Sequence, residues 1–139
     1  MDSLRAVIDP NVWISALISP SGAPADVLRA VLAGEVTAIA TPHLLEEVAE
    51  VLYRDKLRRW VSLSDAEGYV AALADKVELR PEAGKPSKTT RDPDDDYLVA
   101  LAEQSGAVIV TGDGDLLSMD LHPPAMTPRA LLDWLRSHR

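Results

Sequence analysis

An α/β fold built on a parallel sheet is the architecture this sequence predicts, and three observations predict it. Short apolar segments of strand length, at 4–8, 36–40 and 107–110, alternate with longer stretches of helical period. The last of these is apolar throughout, as a strand buried on both faces would be. Enough chain lies between the segments for the helical crossovers that parallel strands need.

Taken in order, residues 4–8 are apolar apart from Arg5 and carry β-branched Val7 and Ile8, which suits a buried strand ending at Asp9. From 11 to 18 the apolar residues Val12, Ile14, Leu17 and Ile18 recur at helical spacing until Pro20, Ser21 and Gly22 stop them. A second helix is expected over 24–33, with Pro24 in its first turn and Gly34 just past its end. The strand at 36–40 runs into Thr41 and Pro42, an N-cap followed by proline at the first helical position. That helix presents Leu44, Leu45, Val48, Val51 and Leu52 on one face, and 54–60 either continue it or form a separate basic turn. Ser64 with Glu67 reads as a capping box for a helix reaching Lys76. Residues 80–93 form a polar loop. A helix follows over about 94–104, closed by Gly106 in a left-handed cap, and then the strand at 107–110. Residues 126–127 would add an edge strand before a terminal helix at 128–137.

With 139 residues the chain has the size of one domain, so one active site is sought over 1–139. It contains no cysteine, which removes disulfides, thiolate zinc sites and thiol catalysis. Residues 1–20 lack a basic start with a long apolar run, and no stretch approaches the ~20 apolar residues that span a bilayer, so a cytoplasmic protein is expected. The net charge of −8 argues against a simple electrostatic nucleic-acid binder. Any such activity would need a local basic patch, or cations that invert the field at one acidic spot.

Ligands of parallel α/β sheets bind beyond the carboxyl ends of the strands. The first strand ends in Asp9; the helix after the second carries Glu46 and Glu47; the strand at 107–110 runs into Asp113 and Asp115; and the helix before it begins with Asp92, Asp94, Asp95 and Asp96. Any one of these reads equally well as a helix cap. Several carboxylates at one rim repel one another, however, and such a cluster calls for compensating cations. Oxygen donors without thiolates select Mg²⁺ or Mn²⁺, and two such ions ~4 Å apart serve phosphodiester hydrolysis.

Four segments, VIDPNV at 7–12, TPHLLEEV at 41–48, RDPDDDYLVALA at 91–102 and VTGDGDLL at 110–117, resemble the acidic motifs of PIN-domain nucleases, and their order and spacing cover nearly the whole chain. The match is similar to the VapC-like toxins of bacterial toxin–antitoxin systems. The resemblance implies a PIN-like three-layer α/β/α sandwich with a central, mostly parallel sheet, Mg²⁺ or Mn²⁺ at the acidic cluster, and endoribonuclease activity on RNA. It also implies a homodimer and inhibition by an antitoxin protein. Carried over by motif, the catalytic and metal-holding residues are Asp9, Glu47, Asp95 and Asp113, with Asp115 as a further ligand. Asn11, Thr111 and Asp92 are supporting residues, Asp92 as the N-cap. Glu47 fits the second motif better than Glu46, since it borders the apolar stripe of its helix; Asp94 and Asp96 favour the helix dipole or assist. Two positions depart from the pattern. Pro10 stands where threonine or serine is common, removing a hydroxyl and a backbone donor beside Asp9. Gly112 stands where many relatives carry arginine.

For substrate contacts, Lys85, Lys88 and Arg91 are the candidates for meeting a phosphate, against an ordinary exposed loop. Arg54, Lys56, Arg58 and Arg59 with Trp60 suit single-stranded RNA, but a solvated strip with Trp60 at a core edge or dimer contact is the favoured expectation. Trp13 reads as core; His43 and His122 read as surface residues, with His43 of interest as a neighbour of the second motif. No Gly-x-Ser-x-Gly elbow or phosphate-cradling glycine loop is present, and Asn11 occupies the place where a phosphotransferase would want a second aspartate. The alternative is a non-catalytic PIN-like module that binds RNA or protein.

Overall fold

A computed structural model describes residues 3–139. Strand β1 (Leu4–Ile8) leads into α1 (Pro10–Ile18) and α2 (Ala23–Leu32), and β2 (Val36–Ala40) into α3 (Pro42–Leu52). A 3₁₀ turn (Asp55–Arg59) precedes α4 (Leu63–Lys76) and the two-residue strand β3 (Glu78–Leu79). A second 3₁₀ turn (Pro93–Asp95) opens α5 (Asp96–Ser105), followed by β4 (Val108–Val110), the short α6 (Gly114–Leu117) and α7 (Pro128–Ser137).

The four strands are parallel in the order β3-β2-β1-β4, with Ala6 opposite both Ala38 and Val108. Right-handed crossovers place the helices joining β1 to β2 to β3 on one face, because those steps run in one direction across the sheet. The chain then returns past β1 to add β4, which puts α5 on the opposite face and gives the helix–sheet–helix layering. The order reverses between β1 and β4, so a crevice opens at their carboxyl ends. Asp9 follows β1 directly, and Asp113 stands three residues past the end of β4.

Burial follows the pattern of period. β4 is buried throughout and β1 from Ala6 to Ile8; α3 buries Leu44, Val48 and Leu52, and α5 buries Leu98, Val99, Leu101 and Ala102. Trp13 is core, and its carbonyl accepts a hydrogen bond from the Tyr69 hydroxyl at 2.6 Å. Gly106, at φ 64°, closes α5 in the left-handed conformation that glycine adopts at least cost.

Some boundaries differ from the sequence-based expectation for identifiable reasons. Helix α4 is capped by Ser62, not Ser64: the Ser62 hydroxyl accepts from the Asp65 amide at 3.0 Å. This register places buried Val61 before the cap and buried Ala66 at the fourth helical position, a hydrophobic staple that Leu63 and Gly68 would not form. The expected edge strand at 126–127 is a single parallel bridge, Met126 beside Val110. β3 and α6 are too short to show a period.

Candidate active site

Asp9 is the most constrained carboxylate at the rim. It ends β1 and caps α1, its Oδ1 accepting from the Asn11 amide at 2.9 Å, and it is 6% exposed. Pro10 fills the first helical position, where an amide would find no partner in the helix, so the lost backbone donor leaves nothing unsatisfied. The hydroxyl missing at position 10 is supplied from β4's end. Thr111, fully buried, donates to Asp9 Oδ2 at 2.7 Å and accepts from the Asp113 amide at 3.0 Å. One hydroxyl thus ties the two strand ends together, and its donated bond is of the stronger charge-assisted kind. Asp113 caps α6 by accepting from the Asp115 amide at 2.9 Å, while Asp115 itself is exposed.

Glu47 lies on α3 beside the buried stripe, half-buried, whereas Glu46 faces solvent. Two groups clamp its carboxylate. The Tyr97 hydroxyl donates to Oε2 at 3.1 Å, and His43 Nε2 stands 3.0 Å from Oε1. The two rings also meet edge to face, their centroids 4.5 Å apart. Burial, then Glu47, pushes the Tyr97 phenol far up, so it stays protonated and remains a donor. Tyr97 was not singled out in the sequence. The available signal was its place two residues after Asp95, which a half-turn of helix rotates towards the neighbouring acid.

The DPDDD run divides its labour. Asp92 caps the 3₁₀ turn, accepting from the Asp94 amide at 3.0 Å, and Asp96 accepts from the Thr90 amide at 2.7 Å and its hydroxyl at 2.8 Å, pinning the preceding loop. Asp94 is exposed. Asp95 makes no capping bond and is left to face the other acids. Burial, with the charges of Asp9, Asp92, Asp113 and Glu47, pushes its carboxyl up to about 6.

Asp9, Asn11, Glu47, Glu50, Arg54 and Asp95 line a cleft of about 260 Å³. Among the described residues, no three histidine or carboxylate side chains are gathered closely enough to hold a metal ion as they stand. Coulombic coupling reaches further than coordination bonds of about 2.0–2.6 Å, so the acids share a field without forming a closed cage. The donor chemistry fits a hard divalent cation: oxygen ligands only, and a raised carboxyl that nearby positive charge would return to its ordinary range.

The basic candidates are dispersed. Arg91 Nε lies 3.9 Å from Asp115, which brings it beside the Asp113 side of the site. Lys88 is held by Asp120, through both its carbonyl and its carboxylate, and Lys85 is exposed. Arg58 leaves the proposed basic strip: it turns back to the Leu52 carbonyl at the end of α3, with Nε and Nη1 buried and unpartnered. Of the two expectations for Trp60, a core edge or a dimer contact, the first is corrected by its 56% exposure; buried Leu57 and Val61 occupy the core side of that segment instead. His122 is a surface residue paired with Asp120.

Comparison with known proteins agrees with the architecture. An uncharacterized protein of Methanocaldococcus jannaschii is 27% identical, covering 94% of this chain and 90% of that protein. The crystal structure of VapBC2 from Rickettsia felis, bound to a DNA fragment from their promoter, is similar with a TM-score of 0.64 and 12% identity, over 88% of this chain and 97% of that one. PAE2754 from Pyrobaculum aerophilum is similar with a TM-score of 0.59 and 15% identity, over 97% and 90%. Residues 5–115 match the PIN domain family, from the first strand to the last of the rim aspartates. The chain belongs to the PIN domain family.

Proposed function

We propose that this protein is a Mg²⁺- or Mn²⁺-dependent endoribonuclease, with one catalytic domain over 1–139, acting as the toxin of a toxin–antitoxin pair. The observation that carries the reading is the frustration of Asp95, whose ionisation is opposed first by its burial and then by the charges of Asp9, Asp92, Asp113 and Glu47. Surplus buried negative charge destabilises a fold and persists where a cation is meant to compensate it. Asp9, Glu47, Asp95 and Asp113 would hold the ion or ions, with Asp115 at the margin. A bound divalent cation would supply water activation and stabilisation of the leaving oxygen in phosphodiester hydrolysis.

The chain's own groups prepare the rest. Asn11 and Thr111 fix both oxygens of Asp9, and Thr111 sets Asp113 relative to it. His43 and Tyr97 hold Glu47 in one orientation. Asp92 fixes the turn that presents Asp95. Arg91, and less directly Lys85 and Lys88, would meet the RNA backbone. The likeness to VapBC2 supports an antitoxin protein as partner; a homodimer in the cytoplasm is the working form we propose beside it, and no helix among the described residues is long and apolar enough to cross a membrane.

A second reading, a PIN-like module that binds RNA or protein without cutting, is favoured by the spacing of the acids, which do not close on one ion site as they stand. Incubation of the purified protein with single-stranded RNA separates the two. Cleavage with Mn²⁺ and none with EDTA is the expected result; intact RNA with a folded, Mn²⁺-saturated protein would leave the binding module.

A further inference from the structure

The cleft is acidic, yet one cation lines it. Arg54 stands on its wall together with Asp9, Glu47 and Asp95, and begins a segment that concentrates positive charge: Arg54, Lys56, Arg58 and Arg59 are four of the chain's 14 basic residues. With Arg58 turned inward to cap α3, the exposed cations are Arg54, Lys56 and Arg59. Two large rings flank them in solvent, Tyr53 at 41% and Trp60 at 56% exposed. The Arg59 guanidinium lies over the Trp60 ring, 4.8 Å from its centroid, and the residue is more than half exposed.

We infer that the segment 53–60 is the RNA-binding lip of the cleft, Arg54 contacting a backbone phosphate at the mouth and Trp60 stacking a base further from the cut. The inference rests on the nuclease reading for its substrate and deepens it. Single-stranded nucleic acid is the occupant that uses both features, since it needs cations along a track and aromatic faces beside them. In a chain of net charge −8, a cationic run abutting the acidic cleft is complementary to a polyanion. Arg54 pairs with Glu50 at 3.2 Å, but this is an exposed pair one helical turn apart, weak enough to yield to a phosphate. The 3₁₀ turn between the two residues, at ~2 Å per residue, carries Trp60 roughly 10 Å along the surface from Arg54, so a substrate must be several nucleotides long to reach both. Arg91, 3.9 Å from Asp115, stands on the Asp113 side of the site, where the strand would meet a second cation.

The test uses a fluorescein-labelled, mixed-sequence single-stranded RNA of about 12 nucleotides, within the span such surfaces cover. Binding is read by anisotropy across a salt series, and cleavage by kcat and KM with Mn²⁺. Arg54→Gln is expected to raise Kd and KM about tenfold and to reduce the salt slope by about 0.7, the loss of one phosphate contact, with Arg54→Lys restoring most of both. Trp60→Ala is expected to raise KM about tenfold on the long RNA with the salt slope unchanged, and to leave a dinucleotide substrate unaffected. Wild-type levels of binding and cleavage in folded Arg54→Gln and Trp60→Ala would overturn the inference while leaving the nuclease intact. RNA binding lost in these variants of a protein that cuts nothing would uphold the lip and remove the nuclease. A change of oligomeric state in Trp60→Ala with RNA binding untouched would assign the ring to a protein interface and overturn the inference.

Discussion

The two ends of the sheet hold cavities of opposite character. At the amino ends of β1 and β4 lies an apolar groove of about 630 Å³, walled by Leu4, Val108, Pro123, Met126 and Trp134. At the carboxyl ends lies the smaller cleft of about 260 Å³ with Asp9, Glu47 and Asp95 on its walls. Size alone would choose the first. The chemistry chooses the second, because the parallel strands bring helix N-termini and Asp9, Glu47, Asp95 and Asp113 towards the carboxyl end, and there the charges disturb one another. Among the described residues that line the groove none is a carboxylate, and its one charge is the Arg5 guanidinium, so it offers hydrophobic contact and no acidic ligand for a cation.

Substitutions can break that comparison or sharpen it. The largest effect is expected from Asp9→Asn or Asp113→Asn, each lowering RNA cleavage about 10³-fold, while Trp134→Leu in the groove changes the rate less than twofold. Equal losses at both ends would erase the distinction. Tyr97→Phe keeps the ring and removes one clamp on Glu47, so Mn²⁺ affinity and kcat should each fall about tenfold with melting temperature nearly unchanged; titration calorimetry with single-turnover rates separates this from loss of fold.

A smaller effect concerns pH. The folded Asp95 carboxyl sits at about 6 against an ordinary value of 3.8, so the fold favours its protonated form. Its contribution to stability is therefore present below about pH 4 and lost as pH rises through 6. In EDTA, urea unfolding should show a decline of about 1 kcal/mol across that window, the full shift being discounted for solvent screening, and Asp95→Asn should abolish it and gain a similar amount at pH 7. A flat profile in the wild type would contradict the coupling. Least of all is expected from Glu46→Gln, whose exposed carboxylate should matter by no more than about 0.5 kcal/mol in stability and leave cleavage unchanged.

What was legible in the sequence follows the range of the interaction. β1, β2 and α7 announce themselves within five to ten residues, as does the Gly106 cap, because period, capping and glycine conformation are local. The rim position of Asp9 was legible too, since a strand end fixes where the next residue stands, and Asp113 lies only three residues past β4. The Ser62 cap was not, because Ser62 and Ser64 both precede an acid three residues on and only the burial of Val61 and Ala66 decides between them. The clamp on Glu47 joins α3 to α5 across 50 residues, and the Thr111 bond to Asp9 spans 102. Trp60 shows the limit of local reading: a large ring between Arg59 and Val61 reads as a core-edge or dimer-contact residue, and only the burial of Leu57 and Val61 shows that the core side of the segment is already filled.

The central claim is that the repulsion among these acids exists to be relieved by a divalent cation. Calorimetric titration of Mn²⁺ into metal-free protein at pH 7, with Asp9→Asn beside the wild type, tests it most directly. The account predicts saturable binding to the wild type that is weakened at least tenfold by the substitution. A folded wild-type protein that takes up no Mn²⁺, or an Asp9→Asn variant that binds it as tightly, would contradict it.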